Sequence, residues 1–230
     1  MGFITTALSV VAALVYAVLA IMSFINGGLS KRSILFALFM FAGASWAIQS
    51  FLDVSSYDLF LMMTRLIYVT FSMIFYLFLL FSLTFLTMSN KQFALIAALG
   101  FALWLLTALF AWFAPGKLII EDVVVHPDGY IDGIVYNVIG MIMGTLLPSM
   151  PCIFGGIIAQ TMAKKQTDSV DGKRILKTVL ICSYVFVSFV LVFNLLFSTV
   201  HEAHWIGPLS ILLVGFAFYG SVVKHADDQF

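Results

Sequence analysis

The sequence predicts an all-α membrane protein: a bundle of seven transmembrane helices with the N-terminus outside and the C-terminus inside. Three observations support this prediction. Hydrophobic residues make up 63% of the 230 residues and charged residues only 10%, whereas soluble domains carry about 25% charged residues. The apolar residues fall into runs long enough to cross a bilayer, which takes about 20 residues. The polar breaks between these runs alternate in the sign of their charge.

The apolar runs predict a single transmembrane domain over residues 1–230. The seven predicted spans are approximately 3–26, 34–52, 59–87, 93–114, 134–162, 175–199 and 205–223. Helices are expected because an open strand edge in lipid would leave backbone groups without hydrogen bonds. The alternating residue pattern of a membrane barrel is absent from the sequence.

Charge in the breaks predicts the orientation. The basic side carries Lys31, Arg32, Lys91, Lys164, Lys165, Lys173, Arg174, Lys177 and Lys224. The other side carries Asp53, Asp58, Glu121, Asp122, Asp128, Asp132 and Glu202, with Lys117 as its one basic loop residue. The positive-inside rule makes the basic side cytoplasmic. A miscounted span would scramble this segregation, so the charges also support the span count.

The break at 115–133 is an outer loop with its own pattern. Residues 118–120 and 123–125 are β-prone, and residues 126–129, with the sequence His-Pro-Asp-Gly, form a turn signal. We therefore expect a short extracellular β-hairpin between spans four and five, lying over the bundle. An irregular loop is the alternative.

Two prolines interrupt the fifth predicted span. Pro148 and Pro151 each lack a backbone donor, and each ring crowds the preceding turn, so a kink is expected near the middle of the bilayer. Such a kink either shapes a cavity or is only structural, and both interpretations stay open.

Polar side chains inside lipid are costly and are therefore candidates for function. The candidate ligand-binding residues are Trp46, Gln49, Arg65, Tyr68, Tyr136, Asn137 and Asn194. Counting from the outer end of each span at about 1.5 Å per residue places them in the outer half of the bundle, with Arg65 about 10 Å deep. The inner half is expected to be mostly apolar.

Arg65 has two compatible interpretations. In one, it lies in an outward-open pocket and binds an acidic or carbonyl group of a small molecule. In the other, it forms a structural ion pair with Asp58, two helical turns earlier on the same face, or with Asp53 near the outer end.

Several function classes are disfavoured by the residues. A retinal protein needs a lysine in the middle of the seventh span, where there is none; Lys224 lies at its inner end. The histidines, His126, His201, His204 and His225, fall in loops or the tail, so no metal site, cofactor or catalytic motif is expected. The net charge of zero gives no reason to expect nucleic acid as a partner. A small transporter or a stand-alone membrane partner protein remains the alternative function.

Six short stretches resemble the seven-span sensor module at the N-terminus of bacterial histidine kinases. They are Ala44-Ser45-Trp46-Ala47 through Phe51-Leu52, Arg65-Leu66-Ile67-Tyr68, Phe81-Ser82-Leu83-Thr84-Phe85, Gly172-Lys173-Arg174, Asn194-Leu195-Leu196 and Gly207-Pro208-Leu209. The resemblance covers nearly the whole chain, with degenerate, mostly apolar motifs. The proline usual after the Arg-x-x-Tyr stretch is missing from the third span.

The resemblance implies a sensory receptor domain, not an enzyme, in the cytoplasmic membrane of a bacterium or archaeon. Such a module receives a small molecule or a membrane state at its outer side or within the bundle, and transmits the signal through span seven. The implied partners are the lipid bilayer, a small-molecule ligand, a cytoplasmic output domain or partner protein, and a second copy of the chain. Because the chain stops at Phe230, shortly after the last span, we expect either a removed output domain or a module that acts alone.

Overall fold

The computed structural model describes the backbone of residues 3–49, 57–125, 131–196 and 206–224, and the side chains of 7–49, 58–59, 61–120, 137–189, 211–212 and 214–221. The helices are α1 Phe3–Gly27, α2 Lys31–Gln49, α3 Tyr57–Leu83, α4 Asn90–Phe113, α5 Val138–Met141, α6 Leu147–Gln166, α7 Val170–Leu196 and α8 Ile206–Lys224. A 3-10 turn at Gly116–Leu118, a π-helical turn at Ile142–Leu146 and the strands β1 Ile120–Val125 and β2 Ile131–Tyr136 complete the described chain.

The π-helical turn joins α5 to α6 without a break, so the described residues contain seven long helical segments. Each predicted span overlaps one of them. Five segments are long and apolar enough to cross a membrane, judged by length and composition. These five are Ala7–Gly27, Lys31–Gln49, Leu61–Leu83, Asn90–Phe113 and Val138–Gln166.

Three helices begin several residues before the apolar run that predicts them. The starts of α2, α4 and α7 are capped by Ser30, Ser89 and Ser169, whose hydroxyls accept hydrogen bonds from backbone amides three residues later. Serine is favoured at this position because it satisfies an amide that lacks a partner within the helix. Polar residues such as Lys31 therefore belong to the helices, which begin before the apolar runs at 34, 93 and 175.

The fifth long segment begins later than predicted. Residues 134–136 belong to β2, and α5 starts at Val138 because the Asn137 side chain accepts a hydrogen bond from the Gly140 amide and caps the helix.

A π-helical turn lies just before the two prolines, and in it the Leu147 amide donates to the Ile142 carbonyl. The kink expected at Pro148 and Pro151 stays a prediction. The π-helical turn contains Gly144, whose carbonyl would otherwise crowd the ring of Pro148 four residues later. The second proline, Pro151, lies inside α6 and is exposed.

The two strands pair antiparallel, with Ile120 opposite Tyr136 and Val123 opposite Ile134. The register shifts at two places along the pair. The predicted turn at 126–130 lies outside the described residues.

The long helices pack side by side. α1, α2, α3, α6, α7 and α8 form a closed sequence of neighbours in which α8 returns to α1, and α4 packs on the outside against α3 and α6. The α1–α2, α3–α4 and α6–α7 connections meet at one end, which we call the basic end because it carries Lys31, Arg32 and Lys91. The opposite end, where β1 and β2 lie, is called the strand end.

Aromatic rings form the centre of the bundle. Phe218 of α8 is fully buried, with its ring centroid 4.6 Å from Phe81, 5.8 Å from Phe39 and 6.0 Å from Phe78. Further ring contacts continue this core toward the strand end, through the pairs Phe78–Phe186, Phe75–Phe186, Phe71–Phe75 and Trp46–Phe71. A continuous chain of rings therefore connects the two halves of the bundle.

Candidate functional site

Arg65 lies near the strand end of α3 and is only partly buried. One terminal nitrogen of its guanidinium donates to the carbonyl oxygen of Ala114 at 3.1 Å. Ala114 is the C-terminal cap of α4, where unpaired carbonyls carry partial negative charge. The α4 terminus thus balances part of the arginine charge. The Arg65 Nε is buried and has no hydrogen-bond partner among the described residues.

Tyr68, one turn further along α3, holds the same connection between α4 and β1. Its ring is buried, and its hydroxyl donates to the Ile119 carbonyl at 3.4 Å. It belongs to a small apolar cluster, separate from the main core, formed by Tyr68, Ala111, Ala114, Ile119, Ile120 and Met141. We call residues 114–120 the linker. Both Arg65 and Tyr68 fasten this linker to α3.

Asn137 fastens the linker from the other side. Its side-chain oxygen caps α5, its side-chain nitrogen donates to the Lys117 carbonyl at 3.1 Å, and its backbone amide donates to the Ile119 carbonyl at 3.2 Å. Both the oxygen and the nitrogen of its side-chain amide therefore form hydrogen bonds, and Asn137 positions the linker against α5.

Trp46 and Gln49 lie against a different face of α3. The Trp46 ring is buried with its centroid 5.2 Å from that of Phe71. The Gln49 side-chain nitrogen donates to Thr70 Oγ1 at 3.2 Å and to Ser45 Oγ at 3.0 Å, while its side-chain oxygen is buried without a partner among the described residues. The predicted site residues therefore form two groups, one at the linker and one between α2 and α3.

The predicted ion pair between Asp58 and Arg65 is absent from the described residues. Asp58 is exposed at the start of α3, and seven residues along a helix separate the two by about 10 Å. Arg65 instead uses the end of α4. The second predicted acidic partner, Asp53, lies outside the described residues, as do the side chains of Tyr136 and Asn194.

Arg32, at the basic end, repeats the arrangement of Arg65. Its guanidinium donates to the carbonyl of Thr84 at 2.9 Å and to the Thr84 hydroxyl at 3.3 Å, and it lies 4.5 Å from the Phe85 ring. Thr84 directly follows the last residue of α3, so a second arginine binds a helix C-terminus.

Gln160 of α6 is a buried polar residue of the inner half that was not among the predicted site residues. It is fully buried, and its side-chain nitrogen donates to Ser82 Oγ of α3 at 2.9 Å. Its side-chain oxygen has no partner among the described residues. Helical spacing could have revealed this residue, because Gln160 lies four and eight positions after Gly156 and Cys152, on the buried face of the helix.

The polar side chains described above, such as Arg65, Gln49 and Asn137, can form hydrogen bonds with a polar ligand. Within the described residues, no group of three or more His, Cys, Asp or Glu side chains is placed to hold a metal ion. The cysteines, Cys152 and Cys182, are both free.

Comparison with models of known protein families gives no match for this chain, and comparison with curated proteins gives none either.

Proposed function

We propose that the chain is a seven-span integral membrane protein with its basic end in the cytoplasm and its strand end outside. The support is the presence of seven long helical segments, five of them apolar enough to span a bilayer, together with the segregation of basic residues at one end. α4 is the least buried of the five and exposes large apolar side chains such as Leu99 and Leu105. Lipid is the solvent that such a helix requires.

Cysteine labelling tests this orientation. In a background of Cys152→Ser and Cys182→Ser, Lys117→Cys is expected to react with a membrane-impermeant maleimide on intact cells. Lys91→Cys is expected to react only after permeabilisation, because the two exposed lysines lie at opposite ends of α4. The cysteine-free protein gives the background. Labelling of Lys91→Cys, but not Lys117→Cys, on intact cells would reverse the proposed orientation.

We further propose that the protein is a sensory domain of a bacterial or archaeal signalling system of the histidine-kinase type. It binds a ligand or senses a membrane state, and acts on a cytoplasmic output domain or partner protein. The observation that carries this proposal is the buried Nε of Arg65, which has no hydrogen-bond partner in the part of the chain that the structure describes and lies beside the capped end of α4. A carboxylate or carbonyl that reached this nitrogen would form a charge-assisted hydrogen bond, which is stronger than a neutral one.

The mechanism is a shift between two helix arrangements that bind the ligand unequally. A carboxylate that binds the Nε and the neighbouring terminal nitrogen of Arg65 together would compete with the Ala114 carbonyl for that terminal nitrogen. Loosening that bond removes one of the attachments of the linker. Tyr68 and Asn137 provide others. The change passes along α3 into the ring core and reaches α8, the predicted seventh span, through Phe218.

A ligand screen by thermal unfolding tests the sensory site. A small carboxylic acid at about 100 times its Kd stabilises a protein by about 2.7 kcal/mol, which for a chain of this size is a rise in Tm of about 5–10 °C. Arg65→Ala and Asn194→Ala are expected to stay folded and to lose this rise. Lys117→Ala, which removes an exposed cation at the same end, is the control and keeps it. An unchanged rise in both site variants would refute the outer site.

A small transporter is the second candidate. The observation that favours it is the π-helical turn followed by Pro148 in the fifth long segment, since transporters often bind solutes at broken helices. Accumulation of a solute inside sealed vesicles that contain the purified protein would support transport. The sensory proposal expects no accumulation.

A further inference from the structure

A buried amide in the contact between α3 and α6 has a partner at one end only, among the described residues. Gln160 is fully buried, and its Nε2 donates to Ser82 Oγ at 2.9 Å, while its Oε1 accepts no hydrogen bond there. Turning the amide by 180° would exchange the two atoms and leave Nε2 at the position without a partner. A buried polar atom without a hydrogen bond destabilises a fold, because it has lost its contacts with water and gained none in exchange.

Gln160 lies in a layer of buried polar side chains on the basic side of the ring core. The layer takes one fully buried polar residue from each of the six helices that pack in a closed sequence. In chain order these residues are Ser23, Ser33, Ser82, Gln160, Ser183 and Ser221. Ser82 directly follows Phe81, and the serines of α2, α7 and α8 each lie three residues, about one turn, from a ring of the core. The bundle is therefore polar inside at this depth.

Three hydroxyls of this layer have no hydrogen left for Gln160. Ser183 and Ser221 each donate to a carbonyl one turn earlier in their own helices, at 2.9 Å and 2.6 Å, and Ser23 does the same at 2.7 Å. A hydroxyl has a single hydrogen to donate. Ser82 differs from these three, since within the described part of the chain its Oγ accepts the bond from Gln160 and donates none.

Packing and charge restrict what can bond to the amide. A methyl group added at Gly156, one turn before Gln160, would overlap the Phe78 ring, so the two helices are in close contact beside the amide. Residues 72–86 and 149–163, which form this contact, include no charged residue, and a buried ion needs an opposite charge. A small neutral molecule fits these conditions. α6 ends at Gln166, six residues or about 9 Å further on, so water at the basic end is near.

We propose that one ordered water molecule joins Gln160 to Ser82 and ties α3 to α6 in the inner half of the bundle. The water donates to Gln160 Oε1 and accepts the hydrogen of the Ser82 hydroxyl. Because water both donates and accepts, it satisfies the amide in either orientation. The site depends only on the contact between α3 and α6, so it is independent of the sensory role of Arg65.

The first test compares Tm values of the full chain purified in a non-ionic detergent. In Gln160→Met combined with Ser82→Ala, apolar side chains of similar size replace the amide and the hydroxyl, and no side-chain group remains to hold the water. If the water is present, the change removes satisfied hydrogen bonds and leaves a void, so the Tm is expected to fall by about 4–8 °C. If it is absent, the change removes an unsatisfied buried atom, and the Tm should stay the same or rise.

Ser221→Ala is the control for this comparison. It removes a buried hydroxyl of the same layer whose hydrogen bond stays within its own helix. Its Tm should therefore differ from that of the unmodified protein by no more than about 2 °C. A fall in Ser221→Ala as large as that in the double variant would mean that the loss comes from any buried hydroxyl, and would refute the water.

A density map at a resolution that shows ordered water is the second test. The unmodified protein is expected to show one compact peak within hydrogen-bonding distance of both the Gln160 amide and Ser82 Oγ, and the double variant is expected to lack it. No peak in the unmodified protein would refute the proposal, as would an elongated peak, which would mean a lipid or detergent chain. If the double variant does not fold, the map of the unmodified protein decides alone. Either result leaves the sensory proposal, which is tested at Arg65, unaffected.

Discussion

Gly140→Ala is expected to lower the free energy of unfolding by about 3 kcal/mol, the upper part of the usual cost of overpacking. Gly140 lies in α5 directly against the linker, and a methyl group there would overlap the carbonyl oxygen of Leu118. That oxygen belongs to the backbone, so it cannot rotate away as a side chain could. Either α5 or the 3-10 turn must move, which would strain the bonds of Asn137 to Lys117 and Ile119. Thermal unfolding in detergent, followed by tryptophan fluorescence, should show a fall in Tm of about 6–12 °C.

Gly220→Ala is the matched control. Gly220 lies in α8, where an added methyl group would meet no atom within 4 Å. Because alanine favours a helix over glycine by about 1 kcal/mol, the Tm of this variant should stay the same or rise slightly. Equal Tm values for the two variants would contradict the close approach of α5 to the linker.

Phe218→Ala is expected to cost about 3 kcal/mol, the lower end of the range for buried phenylalanines. The ring is fully buried and packs against Phe39, Phe78 and Phe81 of two neighbouring helices. Burial in a membrane protein gains less from the hydrophobic effect than in water. The dispersion contacts of the ring and the cavity left behind remain as costs. The measurement is again the Tm in detergent, in the absence of added ligand.

Phe216→Ala tests whether burial is the cause. Phe216 lies on the same helix two residues earlier, and its side chain is 55% exposed. Removing its ring leaves no internal cavity, so the Tm should change by only about 1–2 °C. A loss in Phe216→Ala as large as that in Phe218→Ala would mean that the ring core does not hold α8 in place.

Hydropathy was a good predictor of where helices occur and a poor predictor of where they begin. An apolar run marks the part of a helix that suits lipid, whereas the helix itself begins at a capping group. Ser89 illustrates this difference, because its capping box with Gln92 starts α4 three residues before the predicted span. The β-prone segments at 118–120 and 123–125 overlap β1, which spans Ile120–Val125, but Leu118 belongs to a 3-10 turn. The extracellular position of the strand pair stays a prediction.

The candidate site shows a different limit of sequence reasoning. Arg65 was identified from its charge inside an apolar run, but its partner in the structure is the Ala114 carbonyl. Every residue carries a carbonyl, so a search for charged side chains points to Asp58 and misses the helix end. Gln160 was missed because depth was counted from the outer ends of the spans. Its burial depends on which face of α6 meets α3, and that choice is made by tertiary packing.

The π-helical turn at Ile142–Leu146 fixes which face of α6 meets α3. Its hydrogen bonds span five residues instead of four, so it holds one residue more than an α-helical path would need. Successive residues of an α-helix are separated by about 100°, and the extra residue turns the whole of α6 by that angle relative to α5. Gly156 lies against Phe78, and Gln160 bonds to Ser82, only in this rotational phase. A related chain that lacks one residue within 142–146 would therefore present other residues of its α6 to its α3. This would hold even if residues 156 and 160 were unchanged.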